Sequence, residues 1–331
     1  MFTQDVLPRW KGFNLMGMFT SKSPGYYNEE DFQLMSDWGF NFVRLPLTYH
    51  FWVENRDPHK IIEDKLAPID QAVRWGEKYG IHVNIAFHRG PGYSVNPEFS
   101  EPFDLWKDEE AVDSFVEHWE LFAKRYRGEA HERVSFNMLN EPFNVIPEVH
   151  GRVMRRTVRA IHRIDPRRIC LVDGIAGGNY PAADLGDLAQ ENCAQSCRGY
   201  IPAGVSHYRA SWVDTDSRFP YPVWPGGFAG TEAWSLERLD RHYRAWAAAA
   251  RAFNMGVHCG EGGANSTVPH EIALRWLEDL LSILKSYNIG FALWNFTGGF
   301  GILDTNRRDV RYEDYKGHKL DRKMLNLFLK Y

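Results

Sequence analysis

Residues 134 to 142 read VSFNMLNEP. Val134, Phe136 and Met138 alternate with smaller or polar residues as in a strand with a buried face, and Asn140, Glu141 and Pro142 follow with no turn residue between. A carboxylate at the end of a buried strand must be paired, solvated or put to use, because leaving it dry and unpaired costs several kcal/mol. The stretch therefore predicts an interior strand that delivers a working acid to one edge of the core.

Seven other short runs resemble it: 12–17 (GFNLMG), 40–47 (FNFVRLPL), 81–88 (IHVNIAFH), 168–174 (RICLVDG), 201–208 (IPAGVSHY), 256–261 (GVHCGE) and 290–296 (GFALWNF). Helical patterns lie between them. Val112, Phe115, Val116, Trp119, Phe122, Ala123 and Tyr126 share one face, as do Ile272, Trp276, Leu277, Leu280, Leu281 and Leu284. Gly80 and Gly290 stand where a helix gives way to a strand. Strands alternating with helices imply a parallel sheet, and eight such units predict a closed (β/α)8 TIM barrel forming one domain over residues 1–331. The one long irregular segment is 210–234, and a loop of that length in a compact domain is usually functional.

Composition narrows the partners. Hydrophobic residues make up 44% and charged residues 25%, which suits a large core, and aromatics reach 15%. The net charge is −4 with no long basic run, which argues against nucleic acid and anionic membranes and for a neutral ligand. No apolar run is long enough to span a bilayer, and the first residues lack the regions of a signal peptide. The expectation is a chain that is cytoplasmic, or secreted with its signal removed. Of four cysteines, Cys170 and Cys259 read as core residues, while Cys193 and Cys197 are candidates for a local disulfide.

In a barrel of this type the chemistry sits at the C-terminal strand ends. Those ends carry Asn14, Arg44, His88, Asn140, Glu141, Asp173, His207, Tyr208, Glu261 and Trp294, where a purely structural barrel would hold aliphatic residues. Glu141 and Glu261 close strands 4 and 7 and so face one barrel mouth. Two convergent carboxyl groups suit glycoside hydrolysis, with retention when they are about 5–5.5 Å apart and inversion when a wider gap admits water. Burial and the second carboxylate should raise the pKa of Glu141, as a proton donor requires. Asn140 is placed to bond a sugar hydroxyl, and Arg44 to keep Glu261 ionised. Asp173 reads as a hydrogen-bonded loop anchor.

The segments RLPL (Arg44), FHRGPGY (His88), NMLNEP (Asn140, Glu141), SHY (His207, Tyr208), CGEGG (Glu261) and ALWNFTGGFGILDT (Trp294) resemble, in order and spacing, family 5 glycoside hydrolases, the cellulase-like barrels. The resemblance runs from about residue 9 to 329. It implies a retaining mechanism in which Glu261 is the nucleophile and Glu141 the acid and then the base, with no metal or cofactor. It further implies that Tyr208 contacts the nucleophile, that Arg44, His88 and Asn140 orient the carboxylates or the sugar, and that Trp294 floors the subsite beside the scissile bond. Two departures stand out. The family usually carries His, any residue, Tyr on strand 6, whereas this chain reads Ser206, His207, Tyr208, so that either Ser206 fills the His position or the register is shifted by one. Arg89 stands where many relatives have a second His.

The expected substrate is a β-linked glucan, with β-1,4-glucan favoured. β-Mannan, or exo-acting β-glucosidase or β-mannosidase activity, is the alternative, and a non-catalytic carbohydrate-binding barrel is the alternative of another class. A metal-dependent hydrolase lacks its ligand motifs. Choice of substrate should fall to loops 89–107 and 210–234. The rings Phe219, Tyr221, Trp224 and Phe228 of the second loop are expected to wall off one end of the cleft.

Overall fold

The computed structural model describes residues 7–226, 228–229 and 232–331. Eight strands pair in parallel and close on themselves: β1 (Lys11–Asn14), β2 (Phe42–Thr48), β3 (His82–Gly90), β4 (Val134–Asn137), β5 (Ile169–Asp173), β6 (Cys193–Gly199), β7 (Val257–Gly262) and β8 (Gly290–Leu293). Each pairs with the next, and Lys11, Gly12 and Phe13 of β1 lie opposite Phe291, Ala292 and Leu293 of β8, which completes the ring. The result is a single-domain (β/α)8 barrel.

Strand alternation sorts side chains into two cores. Val43, Leu45 and Leu47 of β2 point outward into the large cluster between sheet and helices, whereas Phe42 points inward with Trp10, Ile169, Leu171, Ala194 and Ala292 to plug the barrel's lower half. By the same period Arg44 points inward, one layer above Phe42 and nearer the mouth. The helical faces read from sequence hold: Glu109–Arg125 buries Val112, Phe115, Trp119 and Phe122, and His270–Ser286 buries Ile272, Trp276, Leu277 and Leu280. Trp119 stacks on Phe87 of β3 with ring centroids 4.0 Å apart. Trp119→Ala is therefore expected to cost about 3–5 kcal/mol, read as a lower urea midpoint at unchanged slope.

Gly80 ends the helix Ala67–Tyr79 in the left-handed conformation (φ 68°), as expected of a helix stop. Gly290 acts differently. The left-handed residue there is Asn288, and a Cβ on Gly290 would stand 2.4 Å from the Trp10 carbonyl oxygen, so the glycine permits close approach of two chains.

Strand 6 requires a correction. Residues 201–208 are not a strand: Pro202 precedes a short helix, Ala203–Ser206. The sixth strand is Cys193–Gly199, whose Gln195, Ser196 and Arg198 are polar yet buried, so no apolar run announces it. The Cys193–Cys197 disulfide falls with it. Both thiols are free, and four residues of extended chain set them about 13 Å apart, beyond bridging distance. Strand 4 also ends earlier than expected. Its ladder stops at Asn137, although Met138 and Asn140 still donate backbone N–H bonds to Leu171 and Phe87.

Candidate active site

The strand ends meet in one buried network. Arg44 Nη1 donates to Glu261 Oε1 at 2.7 Å and to Asn14 Oδ1 at 3.0 Å, Nε donates to Asn137 Oδ1 at 2.9 Å, and Nη2 donates to Asn140 Oδ1 at 3.0 Å. Asn14 is itself fixed, since its amide donates to the Gly260 and Leu293 carbonyls, each at 3.0 Å. The guanidinium of Arg44 thus ties β1, β2 and β4 to Glu261 on β7.

A second guanidinium does the same for the other carboxylate. Arg198, at the end of β6 and 1% exposed, donates from Nε to Glu141 Oε1 at 3.0 Å and from Nη2 to Asn140 Oδ1 at 2.8 Å, and Nη2 also pairs with Asp173. The same Nη2 stands 3.4 Å from Glu261 Oε1. Glu141 and Glu261 therefore hang on adjacent nitrogens of one side chain. The ends of strands 4 and 7 converge as expected.

Glu141 sits in the left-handed conformation (φ 50°), and its backbone N–H donates to Asp173 Oδ2 at 2.8 Å while its carbonyl accepts from Tyr93 Oη at 2.8 Å. These bonds hold a backbone geometry uncommon for a non-glycine residue and turn the carboxyl into the mouth, where it is 20% exposed. Burial first, and then the nearby Glu261 charge, push its pKa up to about 7, and Arg198 restrains the rise. Asp173 is thus the loop anchor expected, and also the counter-ion of Arg198.

His88 is buried 3.9 Å from Glu261 Oε1, in contact with the rings of Phe19 and Trp294. Burial, followed by Arg89, Arg44 and Arg198, pushes its pKa well below the usual range, so the ring is neutral. Trp294 is partly exposed at the mouth. Arg89 turns away to pin the 89–107 loop through the Phe19 carbonyl (2.6 Å) and Asn96.

The hydroxyl on Glu261 belongs to Tyr200, whose Oη lies 3.2 Å from Oε2. Tyr208 and His207 stand elsewhere: Tyr208 packs against Tyr221, and His207 bonds Ser206 and packs on Tyr200. With the strand at 193–199, the family's His-x-Tyr reads here as Arg198, Gly199, Tyr200. Neither Arg198 nor Tyr200 was found from sequence. The one available signal was a Tyr two residues after a charged residue at the end of CAQSCRGY, masked by the more apolar IPAGVSHY that follows.

Loop 210–234 differs from expectation at Trp224, which is buried with Nε1 donating to Asp279 Oδ2 at 2.8 Å and so serves as an anchor. Phe219 is half-buried and Tyr221 is 65% exposed. The ring of Phe228 lies outside the described residues. A second exposed ring is Trp212, 59% exposed, beside His207 and Phe300.

Comparison with known proteins agrees with this geometry. The family model described as cellulase (glycosyl hydrolase family 5) matches residues 6–299. The chain is 27% identical to Endoglucanase C of Acetivibrio thermocellus over 312 residues, covering 87% of this chain and 89% of that one. It is 26% identical to Cellodextrinase A of Ruminococcus flavefaciens, covering 84% and 83%. A solved structure titled as that of a glycoside hydrolase superposes with a TM-score of 0.91 at 36% identity, over 97% of this chain and 99% of the other. The chain belongs to glycosyl hydrolase family 5 and is a glycoside hydrolase.

Proposed function

We propose that the protein hydrolyses β-1,4-linked glucan or oligosaccharides derived from it by double displacement, with Glu261 as nucleophile and Glu141 as acid and then base. The observation that carries the reading is the pair of carboxyl groups held on one guanidinium at the barrel mouth, Glu141 Oε1 3.0 Å from Arg198 Nε and Glu261 Oε1 3.4 Å from Nη2, where both can reach one glycosidic bond. Glu261, gripped by Arg44 and Tyr200, is oriented for attack on the anomeric carbon. Glu141, with a pKa of about 7, holds a proton for the leaving oxygen. The Asn140 Nδ2 donor is buried without a partner among the described residues, while its Oδ1 is fixed by both guanidinium groups. Such a donor is free for a sugar hydroxyl.

Glucan is favoured because the similar curated proteins include an endoglucanase and a cellodextrinase. Beside Glu141 a cleft of 650 Å³, lined by Tyr93, Trp106 and Phe143, offers room for sugars on the leaving-group side. Across the mouth, rings lead outward from Tyr200 through His207 to Trp212, a path along which pyranose faces could stack. Loop 210–234 borders that path.

The test is a product profile on β-1,4-glucan, mixed-linkage glucan, β-mannan, xyloglucan and their oligosaccharides, with Glu261→Gln as control. Release of β-anomeric products from β-1,4-glucan, absent in the control, is expected. Turnover of β-mannan alone would replace the substrate, and sugar binding without turnover would leave a binding protein. Two further results are expected. kcat/KM should fall as pH rises through about 7, because Glu141 must be protonated to serve as acid. Tyr200→Phe should lower kcat roughly 10- to 100-fold, the worth of one hydrogen bond to a charged group, while Tyr208→Phe stays near wild type.

A further inference from the structure

The place where the family usually carries a histidine on strand 6 holds Arg198, and the structure gives this arginine a dedicated counter-ion. Asp173 is fully buried and accepts from Asn137 Nδ2, the Glu141 backbone N–H and Arg198, a set of three donors that suits the ionised carboxylate. The remaining Arg198 donors go to Ser196 Oγ (3.1 Å) and the Cys197 carbonyl (3.2 Å). Unlike an imidazole, this guanidinium stays charged at every working pH.

Arg44 on β2 is a guanidinium and remains charged although burial lowers its pKa. His88 on β3 is neutral, as is His150 on the helix Pro147–Ile164, lowered to about 4 by burial. Tyr93 and Tyr200 are raised by burial and keep their protons. The charges that act on Glu141 directly are Asp173 on β5, Arg198 on β6 and Glu261 on β7, while Arg89 beside His88 is offset by Glu98 at 3.7 Å. With Glu261 ionised, two cations face two anions, and the site is electrically neutral only when Glu141 carries its proton. Once Glu261 is esterified, two cations face Asp173 alone, and neutrality requires Glu141 to be ionised.

We propose that Arg198 and Asp173 are positioning residues, a fixed ion pair that holds Glu141 in place and sets the charge against which it switches from acid to base. In the first step a Glu261 oxygen bonds the anomeric carbon, the glycosidic C–O bond breaks, and the leaving oxygen takes the Glu141 proton. In the second, water bonds the anomeric carbon, its proton passes to Glu141, and the ester C–O bond breaks to restore the Glu261 carboxylate. Each step returns the buried cluster to zero net charge. The proposal rests on the roles given to Glu141 and Glu261 above.

The experiment compares Arg198→Met, Asp173→Asn, the double variant and Arg198→Lys with wild type, using 4-nitrophenyl and 2,4-dinitrophenyl β-cellobiosides over a full pH range. Arg198→Met should move the alkaline limb of kcat/KM up by about 1–3 pH units, the effect of losing a neighbouring opposite charge. Asp173→Asn should move it down, the double variant should return towards wild type, and Arg198→Lys should stay close to it. A merely structural role would lower rates without opposed shifts, and limbs that stay put or move together overturn the proposal. Should Arg198→Met not fold, the downward shift in Asp173→Asn decides alone, and its absence is equally fatal. Labelling with a 2-deoxy-2-fluoro cellobioside separates the two levels. A label on Glu261 with unmoved limbs overturns the ion-pair role only, whereas absence of a label on Glu261 overturns the mechanism and the proposal together.

Discussion

Glu261→Ala is expected to lower kcat on β-1,4-glucan by about 10⁴- to 10⁶-fold, the scale seen when a covalent nucleophile is removed. Neither neighbouring carboxylate is placed to substitute for it: Asp173 is engaged by three donors, and Glu141 is held by Arg198 in the proposed role of acid. The truncation leaves a small void lined by the Arg44 and Arg198 guanidinium groups and the Tyr200 hydroxyl, with one negative charge missing. A small anion should settle there. Azide added to this variant with an activated β-glycoside is therefore expected to restore turnover and to yield the α-glycosyl azide, seen by chromatography and NMR. The Arg44 network keeps its acceptors on Asn14, Asn137 and Asn140, so circular dichroism should show a folded barrel. Wild-type turnover in the folded variant would remove Glu261 from the reaction.

The barrel was legible because its outer faces repeat a simple pattern. Seven of the eight strands coincide with runs of apolar residues, and the helices carry apolar faces at 3.6-residue spacing. The paired glutamates were legible for the opposite reason, as acids where the pattern calls for aliphatic residues. Strand 6 was hidden because the inside of a barrel near its mouth is polar. Ser196 and Arg198 point into that mouth, where Arg198 bonds Ser196, Glu141 and Asp173, and Gln195 on the outer face bonds the Ala182 backbone, so the strand lacks an apolar signature although it is wholly buried. That misplacement carried Tyr208 and His207 into the site in place of Tyr200 and Arg198. Trp224 failed similarly: an aromatic in a long loop reads as a ligand surface, but only the fold reveals the Asp279 acceptor that turns its indole into an anchor.

Glu141→Ala should separate substrates by their leaving groups. For glucan and unactivated oligosaccharides kcat/KM is expected to fall about 10²- to 10⁴-fold, because the departing alkoxide needs the proton that Glu141 supplies. For a 2,4-dinitrophenyl glycoside the leaving phenolate needs none, so the first step should proceed near its normal rate. The second step still lacks its base, and the glycosyl-enzyme should accumulate as a burst of dinitrophenolate followed by slow turnover and a lowered KM. Azide, which attacks without giving up a proton, should then raise the steady rate and give the β-glycosyl azide. The Glu261→Ala variant should give the α-anomer from the same reagent. Opposite anomers from two variants whose truncated carboxyl groups hang on one guanidinium would place Glu261 and Glu141 on opposite faces of the sugar ring. An equal loss on both kinds of glycoside, with no response to azide, would instead reduce Glu141 to a residue that shapes the pocket.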